Sequence, residues 1–353
     1  MKAFVFIKIG IIFLCLTSCG KSYRMITIVE KDGSFQRIVY AKSDSAFFLL
    51  RDMSKNPFMF DIDSNWIFIE EKMEMVDKNG NKTWMQGISR QFKSFDEFSE
   101  KLKFHEINRP LSNPKESLNK KFKWFYTYHT FNANYQRIMA DLPVPLDKYM
   151  TETEQKLMFH GDLQQYAGWN GIEISEDLDE LGKKFKNWYA HNLFEIYFNS
   201  IYQIATKHNF KYATQMPEIK DSLYQLNIKK IKSVENIEIT DIVYMLDDFF
   251  NTSDFSSFYD SYNKEMEYYT SLFSTDIFGN EINYELILPG KIIQTNAPVI
   301  SGDTLKWKMD AYRILPSDYV LSAQTRTANI WAFVVTALLG LISVYCLKFS
   351  RKK

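Results

Sequence analysis

Short, mostly apolar runs separated by polar turn residues mark the first readable stretch of the chain. Met25–Val29 reads as a strand, Lys31-Asp32-Gly33-Ser34 as a tight turn and Phe35–Tyr40 as a second strand, which predicts a β-hairpin closed by an Asp-Gly turn. The pattern recurs over Trp66–Met75 and Thr83–Phe92, with Asp77-Lys78-Asn79-Gly80-Asn81-Lys82 as the turn. Ser94 and Glu97 then have capping-box spacing, and Phe95, Phe98 and Leu102 follow at helical intervals, so a short helix is predicted. Lys121–Tyr135 is dense in aromatic and β-branched residues and predicts one long strand. Pleating puts Phe122, Trp124, Tyr126 and Tyr128 on one face and Lys123, Phe125, Thr127, His129 and Phe131 on the other.

Beyond Pro143 and Pro145 the period becomes helical. Thr151 and Glu154 form a capping box for a helix that Gly161 ends. Ser175 is read as the cap of a longer helix, with Glu176 and Asp177 in its first turn. Leu178, Leu181, Phe185, Trp188, Tyr189, Leu193, Ile196, Tyr197, Ile201 and Ile204 share its broad apolar face. Further helices are expected at 217–232, 239–251 and 255–273. Short alternating runs return over 282–324, broken at Pro289-Gly290 and Ser301-Gly302-Asp303. Strands, a block of helices, then strands again give an α+β chain: an antiparallel β-sheet domain built from the N- and C-terminal segments and interrupted by a helical insertion. Helices in series argue against a parallel α/β sheet.

The two ends follow a different logic. Lys2 and Lys8 supply positive charge ahead of a short apolar run, Ile9–Leu16, and Thr17 and Ser18 precede Cys19, the layout of a secretory signal. Leu16-Thr17-Ser18-Cys19 also resembles the bacterial lipobox, which implies a lipid on the Cys19 thiol. At the other end Asn329–Leu347 is 19 residues without a charge. At the helical rise this spans roughly 28 Å, close to the hydrocarbon thickness of a bilayer, so a transmembrane helix is predicted. Trp331 and Tyr345 sit near its ends, and Lys348, Arg351, Lys352 and Lys353 follow, which places the C-terminus in the cytoplasm. The expected order is a lipoprotein signal (1–18), an N-terminal β-rich segment (19–140), the helical insertion (141–280), a C-terminal β-rich segment (281–325), the span (329–347) and a basic tail (348–353). The body then faces the periplasm from the inner membrane, where a spanning helix outweighs a single lipid.

Composition narrows the chemistry. Of 353 residues 46% are hydrophobic and 16% aromatic, ample for a core, and 43 basic against 43 acidic residues leave no global field to attract nucleic acid. The cysteines are Cys15, Cys19 and Cys346, all at the two ends, so the body is expected to be stable without disulfides.

Leu288-Pro289-Gly290-Lys291, Thr295-Asn296 and Gly302-Asp303-Thr304-Leu305-Lys306-Trp307, followed by strands and a span, resemble the LppM-like domain of bacterial membrane-anchored lipoproteins. That resemblance covers about 60 residues plus the two anchors and implies a β-rich extracytoplasmic domain, with no reaction attached. The helical block departs from it. The whole chain, low in Gly and rich in Lys, Asn, Tyr and Phe, is similar to uncharacterised lipoproteins of Bacteroidetes-type bacteria.

Catalytic and metal signatures are incomplete. His105-Glu106-Ile107-Asn108-Arg109 has Arg109 where a second zinc-binding histidine belongs. Asp77, Asn79 and Asn81 begin like a calcium loop, but Lys82 and Ile88 stand where Gly and Glu are needed. No G-x-S-x-G elbow occurs, the five histidines His105, His129, His160, His191 and His208 are scattered, and Gly182-Lys183-Lys184 lacks a preceding phosphate loop. The pairs Asp247-Asp248 and Glu152 with Glu154 offer carboxylates of the kind a glycosidase uses. No catalytic residue, metal site or cofactor is assigned. The function expected is that of a non-catalytic envelope lipoprotein that binds a protein partner; the alternative is a carrier of lipid or another hydrophobic ligand, and the least favoured reading a glycan hydrolase.

Overall fold

The computed structural model describes residues 21–43, 47, 52–76, 82–105, 111, 113–138, 142–162, 166–230, 239–258 and 280–350. They fall into two compact units, one within 138–279 and the other combining 21–137 with 280–353. The signal segment with Cys19, the turn at 77–81 and most of the helix expected at 255–273 lie outside the described residues; of the last, Phe255–Phe258 forms a 3-10 turn.

In the combined unit, β1 (Ser22–Val29) and β2 (Phe35–Lys42) form the first hairpin, with Val29 opposite Phe35. Gly33 takes φ 97° at the turn, and the Ser34 amide and hydroxyl both donate to Asp32 Oδ1. β3 (Ile67–Val76) and β4 (Lys82–Phe92) pair antiparallel across a bulge between Ile69 and Met73. β7 (Glu281–Ile287), β9 (Val299–Ser301) and β10 (Thr304–Asp310) complete a seven-stranded sheet of order β3-β4-β2-β1-β7-β10-β9. It is antiparallel except at one seam: β1 and β7 run parallel, Ser22 beside Glu281 through Ile28 beside Ile287. Parallel neighbours need a long connection, and everything between residues 30 and 280 supplies it.

A second sheet, which the sequence pattern does not separate from the first, has the order β5-β6-β11-β8, from Lys115–Lys123, Tyr126–Tyr135, Tyr319–Ala328 and Lys291–Thr295. Here the expected long strand at 121–135 is corrected. It is two strands folded back at Trp124-Phe125, with Lys123 opposite Tyr126. Phe122 therefore does not share a face with Tyr126 and Tyr128. The tip carries no Gly, Asn or Asp of the kind usual in a tight turn; it is held from outside the hairpin, by Asn329.

The inward faces of the two sheets bury Met25, Phe35, Val39, Phe131, Ala133, Tyr284, Leu286 and Leu321. The helix α1 (Phe95–Lys101), capped by the Ser94 hydroxyl accepting from the Glu97 amide, inserts Phe95 and Phe98 among them. Phe95 stacks on Phe35 at 4.2 Å between centroids, and Phe98 meets Phe92 edge-on at 5.2 Å. Such ring pairs add to the area they bury.

The other unit is helical. α2 (Glu152–Gln155) has its Thr151–Glu154 capping box and passes into a π turn, Lys156–His160, that Gly161 ends at φ 70°. α3 (Gly171–Lys207) begins earlier than Ser175: Asn170 is the cap, its side-chain Oδ1 accepting from the Ile172 and Glu173 amides while the Glu173 carboxylate reaches back to accept from the Asn170 amide. Asn170→Ala is expected to lower stability by about 1 kcal/mol, read as a shift in denaturant midpoint. A Ser175→Ala variant with the larger loss would reinstate Ser175 as the cap. Of the predicted face, Leu181, Phe185, Trp188 and Ile201 are buried, whereas Leu178 is 46% exposed. Phe194 and Ile201 of α3 pack with Leu223 and Tyr224 of α4 (Met216–Lys230), Ile242 and Leu246 of α5 (Ile239–Phe250), and Phe255.

Candidate membrane-facing site

One residue, Asn329, separates the end of β11 from α6 (Ile330–Ser350). Its backbone amide donates to the Phe125 carbonyl at 2.9 Å, and its side-chain amide donates to the carbonyls of Lys123 and Trp124, each at 3.1 Å. The Thr127 hydroxyl donates to Asn329 Oδ1 at 2.9 Å. Three consecutive carbonyls of the β5–β6 tip thus find donors on the residue that starts the apolar helix. This outside support replaces the turn residues that the tip lacks.

Rings lock the same joint. Phe122 stacks on Trp331, Trp124 meets Trp331 edge-on at 5.3 Å, and Phe125 packs on Phe333 at 4.7 Å. The Trp124 indole N–H donates to the Thr336 hydroxyl at 2.8 Å. Thr336 lies six residues beyond Ile330, roughly 9 Å along the helix at 1.5 Å per residue, so the tip runs alongside the second turn of α6. Despite these contacts Phe122, Trp124, Phe125 and Trp331 remain 56, 45, 37 and 53% exposed.

Within α6, Ile330–Lys348 is long and apolar enough to cross a membrane, and only 6% of it is buried against the rest of the protein. Trp331 is in its first turn, and Tyr345 and Lys348 are exposed near its far end. Arg351, Lys352 and Lys353, like Cys19, lie outside the described residues.

The outward face of the second sheet is basic next to this joint. Lys121 is opposite Tyr128, Tyr128 opposite Arg326, and Arg326 opposite Lys291, a row across all four strands. Lys123 stands in the next row towards the helix, its ammonium 4.7 Å from the Tyr128 ring centre, and the Arg326 guanidinium lies at the same distance over Tyr126. Alternation leaves no Asp or Glu on that face within these four strands; Glu116 points inward.

The residues quoted for the LppM-like resemblance turn out to join the sheets. At Pro289-Gly290 the chain leaves the first sheet for the second: the Thr325 hydroxyl donates to the Pro289 carbonyl at 2.8 Å, and Gly290, at φ 93°, presses against the Arg326 carbonyl. Asn296 Oδ1 accepts from the Ser322 amide at 2.9 Å and from the Trp307 indole at 3.1 Å, and its amide donates to the Val320 carbonyl. Trp307 belongs to β10 in the first sheet and Ser322 to β11 in the second, so one asparagine side chain bonds to both.

Two further polar clusters were not read from the sequence. Between the sheets, Arg37 and Glu116 form an ion pair at 2.5 Å with both side chains 1% exposed. The Tyr284 phenol donates to the other Glu116 oxygen at 2.7 Å, and the guanidinium lies 4.5 Å over the Phe98 ring. Burial, reinforced by the Glu116 charge, pushes the Tyr284 phenol well up. The available signal was Arg37 itself, an arginine at the inward position between Phe35 and Val39. In the helical unit, Tyr149 Oη lies 2.9 Å from His191 Nδ1 and 3.1 Å from the Tyr224 hydroxyl, and His191 stacks on Tyr224 at 4.0 Å. Glu195, paired with Lys220, stands 3.8 Å from His191 Nε2. Burial lowers the His191 imidazole and raises the Tyr224 phenol. The residues come from separate stretches of the chain, which is why no spacing announced them. No group of three metal-binding side chains occurs among the described residues.

The remaining candidates have local structural partners. Asp247 accepts from the Phe255 amide at 2.9 Å and the Ser256 hydroxyl at 2.6 Å, capping the turn after α5. Glu154 caps α2 and pairs with Lys184, and Glu152 pairs with Lys156. His105 sits 3.2 Å from Asp61 on the surface, with 106–109 outside the described residues. Gly182-Lys183-Lys184 is inside α3, and His208 is its C-terminal cap.

His129 is buried on the inward face of β6, 3.3 Å from the Thr327 hydroxyl, and burial, with the Lys120 charge adding to it, holds its imidazole below the usual value. A depressed histidine binds its proton less readily folded than unfolded. Its stabilising contribution is complete above the unfolded value of about 6.5 and is lost as the pH falls through the folded value. Denaturant midpoints measured from pH 7.5 downward are expected to fall, and less steeply in His129→Asn; equal slopes would remove His129 from the account.

No family profile matches this chain, and no curated protein matches it. Among solved structures it is similar to the NMR structure of the folded domain of LppM from Mycobacterium tuberculosis, at 8% identity and a TM-score of 0.28, over 88% of this chain and 91% of that one. At that score the likeness carries no weight for function.

Proposed function

We propose that the chain is a non-catalytic lipoprotein of a bacterial envelope, of the Bacteroidetes type, that acts by binding a protein partner. A signal peptide ends at Ser18, Cys19 carries the lipid, α6 crosses the inner membrane, and the basic tail lies in the cytoplasm with the body in the periplasm. The observation that supports this most is the Asn329 joint: a folded sheet passes, with no linker, into an exposed apolar helix of spanning length. Hydrolysis of envelope glycans gains nothing from the carboxylate pairs, because Asp247 and Glu154 are committed to caps.

Labelled palmitate is expected to enter the wild-type protein and not Cys19→Ala; equal incorporation would refute lipidation there. Removal of 329–353 leaves the protein membrane-bound through its lipid, whereas Cys19→Ala combined with that truncation releases it into the soluble fraction. For the partner, affinity capture of tagged full-length protein from native membranes should return one protein in stoichiometric amount. A solitary monomer would count against the reading.

A further inference from the structure

The geometry points to a second membrane contact beside α6: the β5–β6 hairpin tip dips into the outer leaflet and the basic row above it binds anionic phospholipid headgroups. This rests on the reading that α6 crosses a bilayer, and it goes beyond that reading by assigning a lipid-binding surface to the folded body.

Depth is the first argument. If Ile330–Lys348 fills a hydrocarbon layer about 30 Å thick, the Thr336 level is some way inside it, and Trp124 is hydrogen-bonded to Thr336. The indole therefore cannot stay in bulk water while the helix spans. Backbone chemistry is the second. A hairpin tip entering an apolar layer must have its carbonyls satisfied internally, and Asn329 supplies donors to those of Lys123, Trp124 and Phe125. Of the rings offered to the leaflet, Trp124 and Trp331 are of the kind that prefers the interface, with the Trp124 N–H already engaged, and Phe122 and Phe125 add apolar surface beside them.

Charge is the third. Lys121, Arg326 and Lys291 form a row two residues back along the strands from the Lys123–Tyr126 pair, on a face without acids. Two residues of strand rise roughly 7 Å, so aromatic rings at the apolar boundary leave these cations at phosphate level. A protein surface would not need the rings and the cations stacked along the axis of a spanning helix; an anionic lipid leaflet presents this order.

The test uses the full-length protein in phosphatidylcholine vesicles with and without phosphatidylglycerol, the acyl chains brominated next to the headgroup. The Trp124 emission is the difference between wild type and Trp124→Phe, and the Trp331 emission the difference between wild type and Trp331→Phe. In phosphatidylglycerol vesicles roughly half of each is expected to be lost, as for rings in the interface. With the bromine carried by phosphatidylglycerol alone, diluted in plain phosphatidylcholine, reversing charge on the exposed row, Lys121→Glu with Lys291→Glu, should cut the Trp124 quenching about twofold, and it should leave the quenching unchanged when phosphatidylcholine carries the bromine. Quenching of Trp331 without Trp124 overturns the hairpin contact and spares the span. Loss of neither emission overturns both. Trp124 quenching indifferent to charge reversal overturns the headgroup assignment.

Discussion

Arg37→Ala unfolds at a much lower denaturant concentration than the wild type, with a loss of about 3–5 kcal/mol. The substitution strands Glu116, a carboxylate 1% exposed, between two sheets with only the Tyr284 phenol left to it. It also takes away the cation that lies over Phe98. A buried ion pair need not stabilise relative to an apolar core, and this one is imperfectly satisfied: the Arg37 Nε has no acceptor, and one guanidinium nitrogen faces the Met25 sulfur. The double replacement Arg37→Met with Glu116→Leu should therefore recover most of the loss. Denaturation followed by tryptophan fluorescence measures both. A single variant within about 1 kcal/mol of wild type would show that water reaches the pair, and the buried-charge argument would fall.

Gly290→Ala is the second large effect, at about 2–4 kcal/mol, because two costs coincide. A φ of 93° strains any side-chain-bearing residue, and the added Cβ would collide with the Arg326 carbonyl, which is main chain within β11, paired on both sides, and cannot swing aside. β8 must then separate from β11 where the chain changes sheets. Gly302→Ala is the internal control: φ is 60° but nothing stands within 4 Å of the new methyl, so only the conformational cost remains. Equal losses in the two variants would remove the close approach from the explanation.

Much of the local structure was legible because local chemistry decides it. The Asp32-Gly33 turn, the Ser94 cap and the Thr151–Glu154 box stand where the residue types require. The cap of α3 is less plain, since Gly171 at the first helical position obscures the Asn170–Glu173 capping box and Ser175 has acids after it as well. The α+β class, and the origin of the sheets in the two ends of the chain, followed from the order of periods along it. What was illegible depends on distant residues. The tip at Trp124-Phe125 turns because Asn329, some two hundred residues on, holds its carbonyls, so no turn signal was needed. The parallel seam between β1 and β7 leaves no trace in alternation, which is the same for either direction of pairing. Asn296 was noticed only within a motif, and its bonds to both sheets emerge only when Trp307 and Ser322 are brought to it.

The Asn329 joint also has a mechanical side. A helix hung from a flexible tether can tilt without informing what it carries; here β11 and α6 share one bonded corner, braced by ring contacts on Trp331 and Phe333. On the proposed reading, in which α6 crosses a bilayer, a change in its inclination would carry the second sheet with it as a lever arm. Trp124 and Thr336 are the bolt of that corner, so sheet and helix tilt as one piece.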